Sequence, residues 1–272
     1  MKRSEQLAHL TRKIAAMRIP VYAGNASFFL VLSLFPMVTL LLGVLPVTPL
    51  GVEDLVGFLA NFMPPELLPL LEGMIRTLYA IRPGAVIPVS VLAALWSASS
   101  GTLGILYGLN AVLGVQETRS YLRRRLVCSL YTLGVMLAVV LTLLLNVWGK
   151  ELLAVLHTGA PRSVQTPPGI LRQLHLYSAA LLTLLFTGMY LALPNVRQRL
   201  LHVVPGAAAA ACAWVAFSTL FSFYVNQFAH SSALYGSLTV IVLTLLWLFV
   251  CMMILFYGAL LNRLLFRKDT DV

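Results

Sequence analysis

Residues able to do acid–base, nucleophilic or metal chemistry are few in this sequence, and they stand apart. The five histidines, His9, His157, His175, His202 and His230, never approach the i, i+3 or i, i+4 spacing that holds a metal on one helix face. No glycine-rich phosphate loop, nucleophile elbow or HExxH run occurs. Glu53 and Asp54 are adjacent carboxylates, but helix capping explains them more simply than catalysis. The three cysteines, Cys128, Cys212 and Cys251, lie in apolar stretches and are odd in number, so they read as small buried residues and not as a disulfide framework. The sequence therefore predicts no catalytic residue, no metal site, no cofactor and no enzymatic activity. A net charge of +10 does not read as nucleic-acid binding either, because the basic clusters lack interleaved exposed aromatics.

Neutral polar residues are placed with more order. Ser97, Ser99 and Ser100 sit together in the middle of one apolar stretch, while Thr142 and Asn146, and Ser218, Ser222 and Asn226, recur at steps of four in two others. As a set they could line a polar cavity open to the outside; singly, each could bond back to its own helix or staple a neighbour. At the opposite ends, Asn25, Asn110 and Asn262, with Glu117 and Arg119, could form a cytoplasmic gate held by hydrogen bonds and an ion pair, or simply cap helices. Arg119, Arg123, Arg124 and Arg125 could bind anionic lipid headgroups, although topology alone also collects arginines there.

The elements that position these residues are membrane helices. The chain is 60% hydrophobic and 10% charged, far from the roughly 25% charge of soluble domains. No charge occurs between Arg82 and Glu117, enough helix to cross roughly 30 Å of hydrocarbon. Within that run Ser90, Ala94, Ser97, Gly101, Gly104, Gly108 and Ala111 alternate steps of four and three, a stripe of small residues along one helix face. Small side chains let helices approach closely where lipid gives no hydrophobic drive, so Ser90, Ala94, Gly101, Gly104 and Gly108 are expected to carry helix packing. Six spans are predicted, at about 23–45, 86–110, 126–147, 174–193, 203–224 and 235–261. Pro36 should kink the first and Pro205 should open the fifth. The alanines after Gly206 offer a second small-residue surface that could pack on the first.

Residues 1–20 form a basic amphipathic arm suited to the membrane surface, too polar for a leader, and 263–272 a short tail. Between the first two spans, Leu67, Leu70, Leu71, Met74, Ile75 and Leu78 recur at helical spacing, and Glu72 can pair with Arg76 four residues on. Most of the 19 lysines and arginines fall in the arm, in the loops after the second and fourth spans, and in the tail. Basic residues stay on the cytoplasmic side, which places both termini there and the amphipathic segment outside. No charged residue is expected within the hydrophobic centre of any span.

These stretches carry a resemblance. LWSASSG at 95–101, Asn110 with GVQETR at 114–119, LPN at 193–195, PGA at 205–207, Tyr224, LYGSL at 234–238, LLW at 245–247 and GALLN at 258–262 occur in the order and spacing of the YihY/BrkB family of bacterial inner-membrane proteins, which the chain resembles. The resemblance implies an all-α, six-span protein of the cytoplasmic membrane. Some members carry a virulence-factor label and some a ribonuclease BN label, and the family has been linked to envelope lipid traffic. The short cytoplasmic loops hold no carboxylate or histidine cluster for a nuclease metal. The leading expectation is a transporter-like protein handling an amphipathic envelope molecule such as a lipid, with membrane lipids as partners and no nucleic acid. A membrane scaffold is the alternative. Neither a homo-oligomer nor a particular envelope partner is specified.

Overall fold

The computed structural model describes residues 15, 17–44, 51–80, 88–156, 170–228 and 236–266; most of the expected surface arm and tail fall outside them. Among these residues there are helices and no strands. They are α1 (Ile19–Val44), α2 (Val52–Leu59), a 3-10 turn (Pro65–Leu67), α3 (Leu68–Ala80), α4 (Pro88–Leu113), α5 (Tyr121–Leu156), α6 (Ile170–Ala192), α7 (Leu200–Phe228) and α8 (Gly236–Leu265). Among the described residues three stretches are long and apolar enough to cross a membrane, Ile19–Leu40, Leu200–Val225 and Ile241–Leu265, and Ser178–Ala192 is a shorter apolar one.

Glycine decides how closely the helices meet. A Cβ on Gly101 would lie 2.6 Å from Leu30 Cδ2 and one on Gly104 2.9 Å from Ala26 Cα, so α4 runs against α1 nearly backbone to backbone. Gly108 is covered by the ring of the fully buried Phe256 on α8. The stripe does not stay inside along its whole length, because Ser97 is exposed and Ala94 half-buried; the side chain of Ser90 lies outside the described residues. The second small-residue surface packs elsewhere than expected. Gly206 lies against the backbone oxygen of Gly258, and a Cβ on Gly258 would be 2.7 Å from Ala210 Cβ, so these residues join α7 to α8 instead of to α4. Nor does Pro205 open α7, which begins at Leu200 and carries the proline inside; it sits past the first turn, so its missing N–H takes from Leu201 O the donor that the i→i−4 pattern would supply. Pro36 is likewise inside α1.

The segment between α1 and α4 folds back onto the bundle. Leu67, Leu71 and Ile75 are buried at i, i+4 steps, and Ile75 joins Val38, Leu55 and Phe58 in a small core of their own. The Gly51 N–H donates to Asp54 Oδ2 at 2.8 Å, capping α2 as the sequence suggested. Arg76 joins Glu72 at 2.8 Å and Glu53 at 3.1 Å, both on the exposed side. Two bonds tie this segment to α7: Trp214 Nε1 donates to Phe62 O at 3.2 Å, and Ser222 Oγ to Glu66 Oε1 at 2.7 Å.

The α4–α5 contact departs from a simple hairpin. Ser99 meets Ser129 at 3.2 Å, Thr102 meets Thr132 at 2.9 Å, and Arg125 Nη2 donates to Trp96 O and, at 3.0 Å, to Ser100 Oγ. The first turns of α5 therefore lie beside the middle of α4, where the two helices cross. Arg125, 5% exposed, is thus buried at the level of Ser100. This corrects the expectation of a helix centre without charge: a flexible guanidinium can enter an apolar layer when serine and backbone oxygens meet it.

Candidate functional site

Five residues were singled out as a cytoplasmic gate, and the structure gathers four of them. The left-handed Gly114 (φ 71°) ends α4, its N–H donating to Ala111 O at 3.1 Å while Val115 N–H returns to Asn110 O at 2.9 Å. That turn sends the loop back so that Glu117 faces Asn110. The Glu117 carboxylate accepts from Asn110 Nδ2 at 2.7 Å, from Arg119 Nε and Nη2 at 2.8 Å each, and from the Arg119 N–H at 3.0 Å. Arg119 Nη2 also donates to Leu193 O at 2.8 Å. Asn110 Oδ1 accepts the Asn195 N–H at 2.9 Å, and Asn195 Nδ2 reaches Thr118 Oγ1 at 2.9 Å and Gln116 O at 3.1 Å. The α4–α5 loop is thereby fastened to the α6–α7 loop.

Both side chains of the ion pair are 10% exposed, so the forked geometry acts with little solvent screening. The bonds from Arg119 hold the Glu117 carboxyl below its ordinary 4.5, against the opposing effect of burial, and raise Arg119 in turn.

Asn25 joins this network across a pocket of about 350 Å³, lined by Val21, Tyr22, Asn25, Tyr107, Asn110 and Glu117 among others. Its polar lining comes from two asparagines and a carboxylate, and its apolar lining from Val21 and Tyr22 of α1, Tyr107 and Ala111 of α4, and Val115. Asn262 lies elsewhere: its Oδ1 accepts the Gly206 N–H at 2.7 Å and its Nδ2 donates to Val203 O at 2.9 Å, pinning α7 to α8. Arg263 Nη1 then reaches Val112 O at 2.6 Å, at the end of α4.

The expected outer cavity is not assembled from its described members. Ser99 donates to Trp96 O at 2.8 Å and accepts from Ser129, and Ser100 turns to Arg125. Ser218 accepts from Trp247 Nε1 at 3.2 Å and Ser222 donates to Glu66. Ser97 is exposed, and the side chains of Thr142, Asn146 and Asn226 lie outside the described residues. Hydroxyls in an apolar layer bond to whichever helix is nearest, and here the two groups find separate partners. Of the four arginines considered for lipid headgroups, Arg119 is committed to Glu117 and Leu193, Arg125 is buried, Arg124 is half-buried and Arg123 is exposed. Sequence reasoning named Arg125 only among the candidates for lipid headgroups and missed its burial beside Ser100; it also missed the role of Asn195, which LPN marked in the resemblance, and the Gly206–Gly258 contact. Among the described residues no group of three or more His, Cys, Asp or Glu could hold a metal ion.

Long apolar helices packed through glycine, with polar side chains bonded to one another inside the bundle, define an all-α integral membrane protein. The chain belongs to the family described as Virulence factor BrkB, which matches residues 10–271. It is 32% identical to the ribonuclease-like protein YfkH of Bacillus subtilis, over 90% of this chain and 90% of that protein. It is 25% identical to a UPF0761 membrane protein of Photobacterium profundum, over 93% of this chain and 78% of the relative. No solved structure matches it.

Proposed function

We propose that the chain is a multi-pass protein of the bacterial cytoplasmic membrane that accommodates or moves an amphipathic lipid. In this reading residues 21–262 form the membrane domain, α1 and α4 to α8 cross the bilayer, α2 and α3 lie on the outer face, and both termini are cytoplasmic. The observation that carries it is the pocket at Asn25, Asn110 and Glu117 and what stands beside it on α1. Val21, Phe28 and Leu32 are 63%, 56% and 62% exposed, and with Asn25 they follow helical spacing along one face. A polar head held at the asparagines would leave its acyl chain lying on that apolar stripe, the division an amphipathic molecule requires. The ribonuclease-like description of the Bacillus subtilis relative belongs to that protein; the pocket here offers amide and carboxylate groups already bonded to one another.

Reconstitution tests this. Vesicles holding the full-length protein should exchange a fluorescent phospholipid between leaflets several-fold faster than empty vesicles. Asn25→Trp, which fills the pocket with an indole, should slow exchange while leaving helix content and monodispersity unchanged. Equal rates in protein-containing and empty vesicles would overturn the proposal.

A further inference from the structure

The hydrogen bonds already made around the pocket beside α1 limit what it can hold. Of the residues that line it, Glu117 alone is charged, and that charge is spent. Its carboxylate accepts four hydrogen bonds, one from Asn110 and three from Arg119, which fills the roughly four lone-pair sites such a group has. Asn110 gives one amide hydrogen to Glu117 and takes the Asn195 N–H, so it keeps one donor and one acceptor place. Asn25 is less engaged. Among the described residues its amide has no hydrogen-bond partner, although it is exposed on α1 and its Oδ1 lies 3.4 Å from where a Cβ on Gly104 would stand, against the bare backbone of α4. The hydroxyls of Tyr22 and Tyr107 in the same lining have no hydrogen-bond partner among these residues either. The Tyr107 ring, by contrast, is occupied, since the Arg124 guanidinium lies 5.7 Å from its centroid. What remains for a ligand is therefore a set of neutral groups, each able to donate and to accept.

We infer that the pocket selects an uncharged polyol, the neighbouring hydroxyls of a glycerol or a sugar, as the headgroup of its ligand. The inference rests on the lipid reading above for the acyl part and deepens it for the head. A hydroxyl donates and accepts at once, which matches the free amide of Asn25 and the two phenols. A phosphate only accepts, so it leaves the Asn25 oxygen unmet and brings a second anion up to Glu117. An ammonium only donates, finds the lone pairs of Glu117 taken, and meets like charge at the Tyr107 ring. Neither ion gains a counter-charge, because Glu117 and Arg119 already neutralise each other. Size agrees: the 350 Å³ of the pocket lies at the lower end of the roughly 300–1,000 Å³ of ligand sites, room for a headgroup and not for acyl chains. Those are left to the exposed Val21, Phe28 and Leu32.

The test is equilibrium binding to the full-length protein, delipidated in a polyoxyethylene detergent that carries no sugar. Three lipids with the same acyl chains are compared by native mass spectrometry: monoglucosyldiacylglycerol, phosphatidic acid and phosphatidylethanolamine; free glucose is measured separately by equilibrium dialysis. The glucosyl lipid should be retained about tenfold better than either charged lipid, and Asn25→Leu, which replaces the amide by an apolar group of similar size, should abolish that preference. Should Asn25→Leu fail to purify as a single species, Tyr107→Phe, which keeps the ring and loses the hydroxyl, carries the test by narrowing the same preference. If free glucose binds and is lost in the variants while the glucosyl lipid does not bind, the polyol chemistry stands and its source is a soluble sugar, against the lipid reading. Equal retention of the three lipids, a preference for either charged one, or a preference that survives both variants overturns the inference. Equal retention that Asn25→Trp lowers for all three lipids would do so while leaving the proposed function standing, so the two readings fail separately.

Discussion

At the scale of single residues, Glu117 is the carboxylate on which most depends. It accepts four hydrogen bonds and is the partner that neutralises Arg119. Glu117→Gln keeps the shape and strands a buried guanidinium, and should cost about 3 kcal/mol of unfolding free energy in detergent. The pH dependence follows from direction alone. A carboxyl held lower in the folded state than its ordinary 4.5 stabilises the fold fully above that value. The contribution is lost as pH falls through the lower folded value. The melting temperatures of parent and Glu117→Gln should therefore differ at neutral pH and converge in acid, as pH falls through the lowered folded value of the carboxyl. A constant gap across that range would mean that the charge of Glu117 is not what stabilises. Asn110, Glu117 and Arg119 could be grouped from the sequence, since the three are close along the chain. Asn195, 85 residues beyond Asn110, was invisible as its partner because only the folded loops bring them to 2.9 Å.

At the scale of elements, the decisive quantity is the distance between helix backbones. Gly206 faces a backbone oxygen of α8, which cannot swing aside as a side chain can. Gly206→Ala should destabilise by about 1–3 kcal/mol, measured by thermal or denaturant unfolding in detergent. Gly134 on α5 has nothing within 4 Å of where a Cβ would stand, so Gly134→Ala should be neutral or gain up to about 1 kcal/mol of helix propensity. Comparable losses in both variants would show that glycine serves flexibility and not close approach. The steps of four and three identified the stripe on α4, but not which helix would cover which part: Leu30 and Ala26 of α1 meet Gly101 and Gly104, and Phe256 of α8 meets Gly108. A stripe of small residues says that something comes close and is silent about what.

At the scale of the whole molecule, the asymmetry of charge is the organising fact. If the proposed six crossings hold, most of the 19 basic residues belong to the arm, the tail and the loops on one side, so reporter fusions at either terminus should be active only as cytoplasmic reporters, and one inserted at 60–64 only as a periplasmic reporter. A periplasmic terminus would sink the six-crossing arrangement and with it the outer placement of α2 and α3. The exposed stripe of Val21, Phe28 and Leu32 and the exposed leucines of α5 then face acyl chains, which is why so many large apolar side chains remain uncovered in a stable bundle.

The linear chain by itself determined the apolar solvent and the helical class, because hydrophobic length and composition are local properties that a bilayer reads directly. It also held the identity of the family, through short motifs whose order is visible without a fold. Tertiary structure alone decided that Arg125 lies buried beside Ser100, that Asn262 clamps α7 and leaves the other gate residues to themselves, and that the described serines find separate partners. Those outcomes depend on the angle and register at which helices cross, and that geometry is fixed by contacts between residues far apart in the chain, which no single stretch of sequence contains.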